Sequence, residues 1–103
     1  ALLHADPAHA WTIEELASEV ALSRSAFYDR FLALIGQPPM QYLTQWRMQL
    51  GAKLLRETQA PVASIALDVG YESEAAFARA FKRSTGKPPA TWRRELVQVE
   101  AVG

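Results

Sequence analysis

Cationic side chains are concentrated in one stretch of this sequence. Between residues 73 and 94 the chain carries six lysines and arginines against one acid, Glu74. An arginine guanidinium bonds bidentately to the O6 and N7 atoms of guanine, and lysine and arginine both neutralise phosphates. Arg79 is the candidate for base contact, against the alternative of an ordinary solvent-exposed helix charge. The candidates for phosphate contact in this stretch are Lys82, Arg83 and Arg93.

The charge of the whole chain does not share this bias. The formal net charge of the 103 residues is +0, whereas a nucleic-acid-binding domain is expected to be basic. Residues 1–36 carry five acids against Arg24 and Arg30. The electrostatic signal is therefore the asymmetry between the two halves, and a merely solvated helix face remains the alternative.

Several classes of function are disfavoured by composition. The absence of cysteine excludes disulfides, thiolate metal sites and a cysteine nucleophile, and it fits a cytoplasmic protein. No apolar run approaches the ~20 residues that span a membrane. His4 and His9 have no metal-ligand spacing, and the acids Glu14, Glu15 and Glu19 lie along one helix face. We expect no enzyme activity, no catalytic residue, no metal site, no cofactor and no membrane partner.

One pattern occurs twice in the chain. The stretch "SRSAFYDRFLALIGQPP" at 23–39 returns as "SEAAFARAFKRSTGKPP" at 73–89, and residues 13–21 match 62–70 at an offset one residue smaller. The extra residue of the second copy falls in a turn, where a change of length is tolerated. Each copy predicts a helix-turn-helix. We call residues 13–35 the first unit and residues 62–85 the second unit.

Apolar residues recur with the period of an α-helix throughout. The sequence predicts an all-α fold of about seven helices, in which two helix-turn-helix subdomains (1–37 and 58–98) are joined by a linker helix (38–57) and followed by a tail (99–103). Thr12, Ser23 and Ser73 are the expected N-caps. The predicted helices cover about 1–5, 13–20, 24–35, 39–57, 62–69, 74–85 and 89–96.

The linker helix is expected to supply core for both subdomains. The predicted buried stripe is Leu43, Trp46, Leu50 and Leu54. For Gly51, close packing and tolerated weakness both remain open. Trp11, Trp46 and Trp92 are expected to be core residues rather than surfaces on which bases stack.

In each unit a Phe pair at i, i+4 anchors the second helix: Phe27 and Phe31, then Phe77 and Phe81. At about 100° per residue, the side chains on the opposite face are Ser25, Tyr28, Asp29 and Leu32, with Ala75, Ala78, Arg79 and Lys82 as their equivalents. The two alanines would let the backbone approach thymine methyls, against the alternative of simple helix propensity.

Four residues remain to be assigned, and for two of them, Asp29 and Arg47, alternatives stay open. For Asp29, pairing with a nearby arginine is favoured over accepting a hydrogen bond from cytosine. Arg24, in the first helical turn, and the N-cap Ser73 are candidates for phosphate contact. Arg47 is also a candidate for phosphate contact, with contact to DNA and pairing with an acid equally open.

The blocks "SRSAFYDRF…GQPPMQYLTQWRMQLGAKLL" and "PVASIALDVGYESEAAFARAFKRSTGKPPATWR" resemble the DNA-binding domain of AraC/XylS-type bacterial transcription regulators, over about residues 2–96. The resemblance implies a seven-helix fold, recruitment of RNA polymerase for activation, and a missing N-terminal domain that binds an effector or dimerises. The chain is then expected to be a fragment of a longer protein.

The resemblance also assigns positions. It places base contacts on Ser25, Tyr28, Asp29, Glu74, Ala75, Ala78 and Arg79, and a DNA-backbone contact on Arg93. Asp29 departs from the family, because many relatives have a basic residue there. Sequence-specific binding of double-stranded DNA, with two recognition helices in successive major-groove segments about 34 Å apart, is the predicted function. The alternative is a protein-interaction module of the same fold with weak or no DNA binding.

Overall fold

Six α-helices account for most of residues 12–102, the part of the chain that the computed structural model describes, with side chains up to residue 99. No strand occurs within this part, so the all-α prediction is confirmed. The helix predicted over 1–5 lies outside the described residues. The six helices are α1 (Ile13–Glu19), α2 (Arg24–Ile35), α3 (Pro39–Glu57), α4 (Val62–Asp68), α5 (Glu74–Thr85) and α6 (Pro89–Val102).

The predicted N-caps begin three of these helices. The hydroxyl oxygens of Thr12, Ser23 and Ser73 each accept a hydrogen bond from the backbone N–H three residues later, at 3.1, 3.2 and 3.1 Å. The expected end of the last helix at residue 96 is wrong, because α6 continues to Val102. Residues 97–102 contain neither proline nor glycine, so nothing there stops the helix.

The turn between the two helices of each unit has the same hydrogen bonds. In the first unit the N–H groups of Ala21 and Leu22 donate to Ser18 and Ala17, and in the second unit Gly70 and Tyr71 repeat this pattern. Such a turn needs one residue in the left-handed region, which glycine enters without strain. Gly70 has φ 101°, but in the first unit Ala21 holds φ 58°. The first unit therefore keeps the turn at a conformational cost.

The second unit has the larger core. Phe77 and Phe81 are fully buried in a cluster with Ile65, Val69 and Leu55. In the first unit Phe27 and Phe31 are only partly buried, and α2 contains no fully buried residue.

The Phe pairs nevertheless anchor both units in the same way. An aromatic ring from the helix that follows packs edge-on against the second Phe of each pair. Phe31 meets Tyr42 at 5.7 Å between ring centroids, and Phe81 meets Trp92 at 5.5 Å. Tyr42 and Trp92 are themselves fifty residues apart, so the repeat extends into α3 and α6.

The buried face of α3 differs from the predicted stripe. Leu43 is buried as expected, but the other buried positions include Met48, Gly51 and Leu55, while Trp46, Leu50 and Leu54 are partly exposed. Gly51 explains the difference, because α3 contacts the second unit through it. A Cβ atom at Gly51 would lie 2.9 Å from the Phe77 ring. Of the two interpretations left open for this glycine, close packing is confirmed.

A second contact holds α6 against the end of α3. Arg93 donates from Nε to the carbonyl oxygen of Leu55 (3.0 Å), from Nη1 to that of Ala60 (2.7 Å) and from Nη2 to that of Thr58 (3.4 Å). The last carbonyls of a helix have no partner within the helix. Arg93 supplies one and fixes the start of the second unit relative to the linker.

We expect Gly51→Ala to destabilise the protein, although alanine is the better helix former by about 1 kcal/mol. The added methyl group must displace a fully buried aromatic ring, and overpacking of this kind costs roughly 1–3 kcal/mol. Urea unfolding measures the free-energy difference. Gln49→Ala, on the exposed side of α3, is the control and should change stability by less than about 0.5 kcal/mol. A more stable Gly51→Ala variant would contradict the close contact.

Ala21→Gly should instead stabilise the protein, by up to about 1 kcal/mol, since it relieves a left-handed alanine. The matched change in the second unit, Gly70→Ala, should destabilise by a similar amount. Thermal unfolding of both variants measures the effect. The interpretation is refuted if Ala21→Gly lowers the melting temperature as glycine does at ordinary exposed positions.

Arg93→Ala should lower the free energy of unfolding by about 2 kcal/mol, because it leaves three carbonyls without a charged donor. Arg93→Lys should recover little of this loss, since an ammonium cannot reproduce the planar set of donors. Arg94→Ala, which removes the neighbouring exposed cation, is the control. If an Arg93 variant kept its stability but bound DNA more weakly, the result would indicate that Arg93 contacts a DNA phosphate.

Candidate nucleic-acid interface

Helix α5 presents cations on the side opposite its buried face. Phe77, Ala80 and Phe81 are buried. The exposed residues of the helix include Glu74, Ala75, Arg79, Lys82 and Arg83, and Ala78 is partly buried. The outward face predicted for the second unit is thus confirmed.

The three cations of this face are available to an external anion. Arg79, Lys82 and Arg83 form no ion pair with any residue in the described part of the chain. Ala75 and Ala78 lie one turn before Arg79 and Lys82 and carry only methyl groups. A surface with small side chains and projecting guanidinium and ammonium groups suits close approach to a polyanion.

The equivalent face of α2 has a different character. Ser25 and Asp29 are exposed and Tyr28 is partly buried. A shallow pocket of about 270 Å³ at the start of the helix is lined, among the described residues, by Ile13, Arg24, Ser25, Tyr28 and Asp29. The outward orientation predicted for the first unit agrees with this placement.

The ion pair with a nearby arginine, which the sequence favoured for Asp29, does not occur among the side chains of residues 12–99. Arg24 pairs instead with Glu14, with Nε and Oε1 3.4 Å apart. Asp29 takes part in none of the ion pairs or hydrogen bonds of the described side chains. Its exposed carboxylate therefore has no partner among these side chains.

Arg47 does not lie on the candidate surface. It is only 9% exposed, and its guanidinium carbon is 5.9 Å from the centroid of the Tyr71 ring. Burial lowers the pKa of Arg47, yet an arginine remains protonated at any physiological pH. Burial raises the pKa of Tyr71, with Arg47 and Arg83 opposing the shift, so the phenol is neutral. The phosphate contact expected of Arg47 has no support in this geometry.

Arg93 has a structural role that the sequence did not indicate. Its guanidinium donates to three backbone carbonyls, which leaves two of its five N–H groups without one of these acceptors. Sequence reasoning missed this role because its acceptors lie 33–38 residues away in the chain. The contact of Arg93 with the DNA backbone stays a prediction.

The ends of α2 and α5 also differ, and sequence reasoning identified only the first of these differences, Leu32 against Lys82. Leu32, Leu34 and Ile35 are 40%, 77% and 49% exposed in α2. Their equivalents in α5 are Lys82, Ser84 and Thr85. The signal was present in the paired segments "FLALIG" and "FKRSTG". The end of α2 lacks the charges that α5 offers to phosphates.

Other kinds of site find little support in the described residues. No group of three or more His, Cys, Asp or Glu side chains suited to a metal ion occurs there. None of the helices between residues 12 and 102 is both long and apolar enough to cross a membrane. His4 and His9 lie outside the described residues.

Comparison with known proteins gives a consistent result. Residues 16–95 match a family described as a helix-turn-helix domain. An AraC-like transcription regulator of Streptomyces antibioticus is 54% identical over 92 residues, which is 89% of this chain and 30% of that protein. The transcriptional regulator AlkR of Acinetobacter baylyi is 40% identical over 95 residues, or 92% of this chain and 31% of AlkR. The chain thus spans about a third of the length of these relatives.

Solved structures agree with the sequence matches. The DNA-binding domain of AdpA, determined in complex with a target DNA, has a TM-score of 0.92 at 27% identity and covers 99% of this chain and 92% of its own. The C-terminal domain of AraT from Geobacillus stearothermophilus has a TM-score of 0.81 at 31% identity, and the match covers 84% of this chain and 71% of the AraT chain. Since the family match includes most of the chain, this protein belongs to the AraC-type helix-turn-helix domain family.

Proposed function

We propose that this chain binds double-stranded DNA sequence-specifically and thereby serves in the regulation of transcription. The observation that carries the proposal is the outward face of α5. There Arg79, Lys82 and Arg83 are exposed and unpaired among the described residues, beside the small side chains of Ala75 and Ala78. The DNA-bound structure of AdpA, which is similar over nearly the whole chain, supports it.

The residues proposed to contact DNA form two groups, one that contacts base edges and one that contacts the DNA backbone. Arg79 can bond the O6 and N7 atoms of a guanine, and the methyl groups of Ala75 and Ala78 suit contact with thymine. Phosphate contacts fix the register of the protein without reading sequence. The residues proposed for phosphate contact are Arg24, Ser73, Lys82 and Arg83.

The geometry of α3 suits two points of contact on one duplex. The helix has 19 residues and, at about 1.5 Å per residue, a length of about 28 Å. Successive major-groove segments on one side of B-DNA lie about 34 Å apart. The chain measures 51 Å along its longest axis, which is longer than this spacing. One chain would then recognise an asymmetric site.

The names of relatives support a proposal for the complete protein. One relative, RclR of Escherichia coli, is named a transcriptional activator and is 40% identical over 93 residues. We propose that the complete protein acts in the cytoplasm, activates transcription through RNA polymerase, and responds to an effector through a domain outside this chain. No enzyme activity is proposed.

The salt dependence of binding to duplex DNA tests the proposal. The dissociation constant for a duplex, measured by fluorescence anisotropy, should rise steeply with salt as counterions return to the phosphates. Selection from a pool of random duplexes should yield a common motif. A chain that binds no duplex, or binds one without dependence on salt, is instead the protein-interaction module that shares this fold.

Arg79→Ala should relax the preference at one base pair of the selected site, by a factor of about 5–100. Arg30→Ala is the matched control: it removes the same charge from the other recognition helix, where Arg30 lines an apolar groove with Phe27 and Leu34. Anisotropy on the four duplexes that differ at this pair measures the effect. Equal losses on all four duplexes would show that Arg79 contacts phosphate and not a base.

A further inference from the structure

We propose that Asp29 sets the sequence preference of the first unit by accepting a hydrogen bond from the N4 amino group of a cytosine. The inference rests on the proposed binding of duplex DNA. The proposed contact gives the first unit a preference for cytosine, which the cations of the second unit do not provide.

The position of Asp29 is the first step. Asp29 in α2 corresponds to Arg79 in α5, fifty residues later, and both side chains are exposed. The anchoring rings behind them are equivalent as well, with centroids 5.8 Å apart for Phe27 and Phe31 and 5.6 Å for Phe77 and Phe81. If α5 presents Arg79 to a major groove, an equivalent docking of α2 presents Asp29.

The second step is the absence of a protein partner for Asp29 within residues 12–99. Arg24 lines the same pocket, yet its guanidinium pairs with Glu14. Arg30, the next residue in the chain, lines the apolar groove on another side of α2. No arginine of the described residues therefore pairs with the carboxylate of Asp29 in the unbound protein.

The chemistry of base edges decides what such a carboxylate accepts. Guanine presents O6 and N7 and thymine presents O4 to the major groove, all of them acceptors, which repel a carboxylate. Adenine offers an amino group beside the acceptor N7, whereas cytosine offers its N4 amino group alone. Phosphates repel the carboxylate too. Asp29 thus favours cytosine at the position it meets and disfavours guanine and thymine most strongly.

The order of charged residues differs between α2 and α5, which supports different base preferences for the two units. In α2 a cation precedes the acid, Arg24 before Asp29, and in α5 the acid Glu74 precedes Arg79 at the same spacing. A helix that carries the opposite pattern selects a different base sequence. The two halves of the DNA site should therefore differ, with the first defined mainly by rejection of wrong bases.

The test uses selection from random duplexes by this chain and by Asp29→Asn, Asp29→Ala and Arg79→Ala. The unsubstituted chain should select a cytosine in the half of the site bound by the first unit. Asparagine bonds bidentately to the N6 and N7 atoms of adenine, so Asp29→Asn should change that cytosine to adenine. Asp29→Ala should lose the preference, which we expect to be about tenfold, and should bind unrelated duplexes more tightly. In both, the other half of the motif should be unchanged.

Arg79→Ala is the reciprocal control and should alter only the half bound by the second unit. Thermal unfolding by circular dichroism checks that each exposed substitution leaves the fold intact. A two-part motif that is identical for the unsubstituted chain and both Asp29 variants would overturn this inference and leave the proposed function standing. Failure of the unsubstituted chain to bind any duplex would overturn both.

Discussion

The contact between Gly51 and the Phe77 ring determines where the second unit sits on the linker helix. With no side chain at Gly51, α3 approaches until a Cβ atom there would be 2.9 Å from the ring. Phe77 is fully buried and belongs to the helix that carries Arg79, so its position also fixes the outward face of α5. A looser contact would let α5 rotate and move Arg79 away from any fixed base edge. The proposed reading of DNA thus depends on a glycine far from the reading surface.

Arginine serves two opposite purposes in this molecule, and burial separates them. Arg47 packs over the Tyr71 ring, and Arg93 bonds three carbonyls where α3 ends. Both stabilise the arrangement of the second unit against α3. Arg79 and Arg83 are exposed and have no ion-pair partner among the described side chains, so their charge is directed outward. A count of basic residues alone merges these two groups, although only the second projects from an exposed helix face.

Local sequence patterns predicted most of the helices and the orientation of both recognition helices. The hydroxyls of Ser23 and Ser73, and the Phe pairs four residues apart, act over one helical turn, where sequence spacing determines geometry. The failures involve residues distant in the chain. Periodicity did not identify the buried face of α3, because the face that contacts α5 is chosen by the fit of Gly51 to Phe77. The role of Arg93 depends on carbonyls in another helix and the following loop, which no local pattern reveals.

The repeat itself shows how two copies of one unit diverge. Packing positions are kept in both, as with Phe31 against Tyr42 and Phe81 against Trp92, since a change there opens a cavity in the core. The first unit nonetheless has less favourable local structure than the second. Ala21 adopts a left-handed conformation where the second unit has a glycine, and the anchoring rings of the first unit stay partly exposed. Outward positions carry no packing constraint, so Asp29 and Arg79 differ without disturbing either fold. Divergence on the outward face thus lets one backbone arrangement, used twice, present two different surfaces.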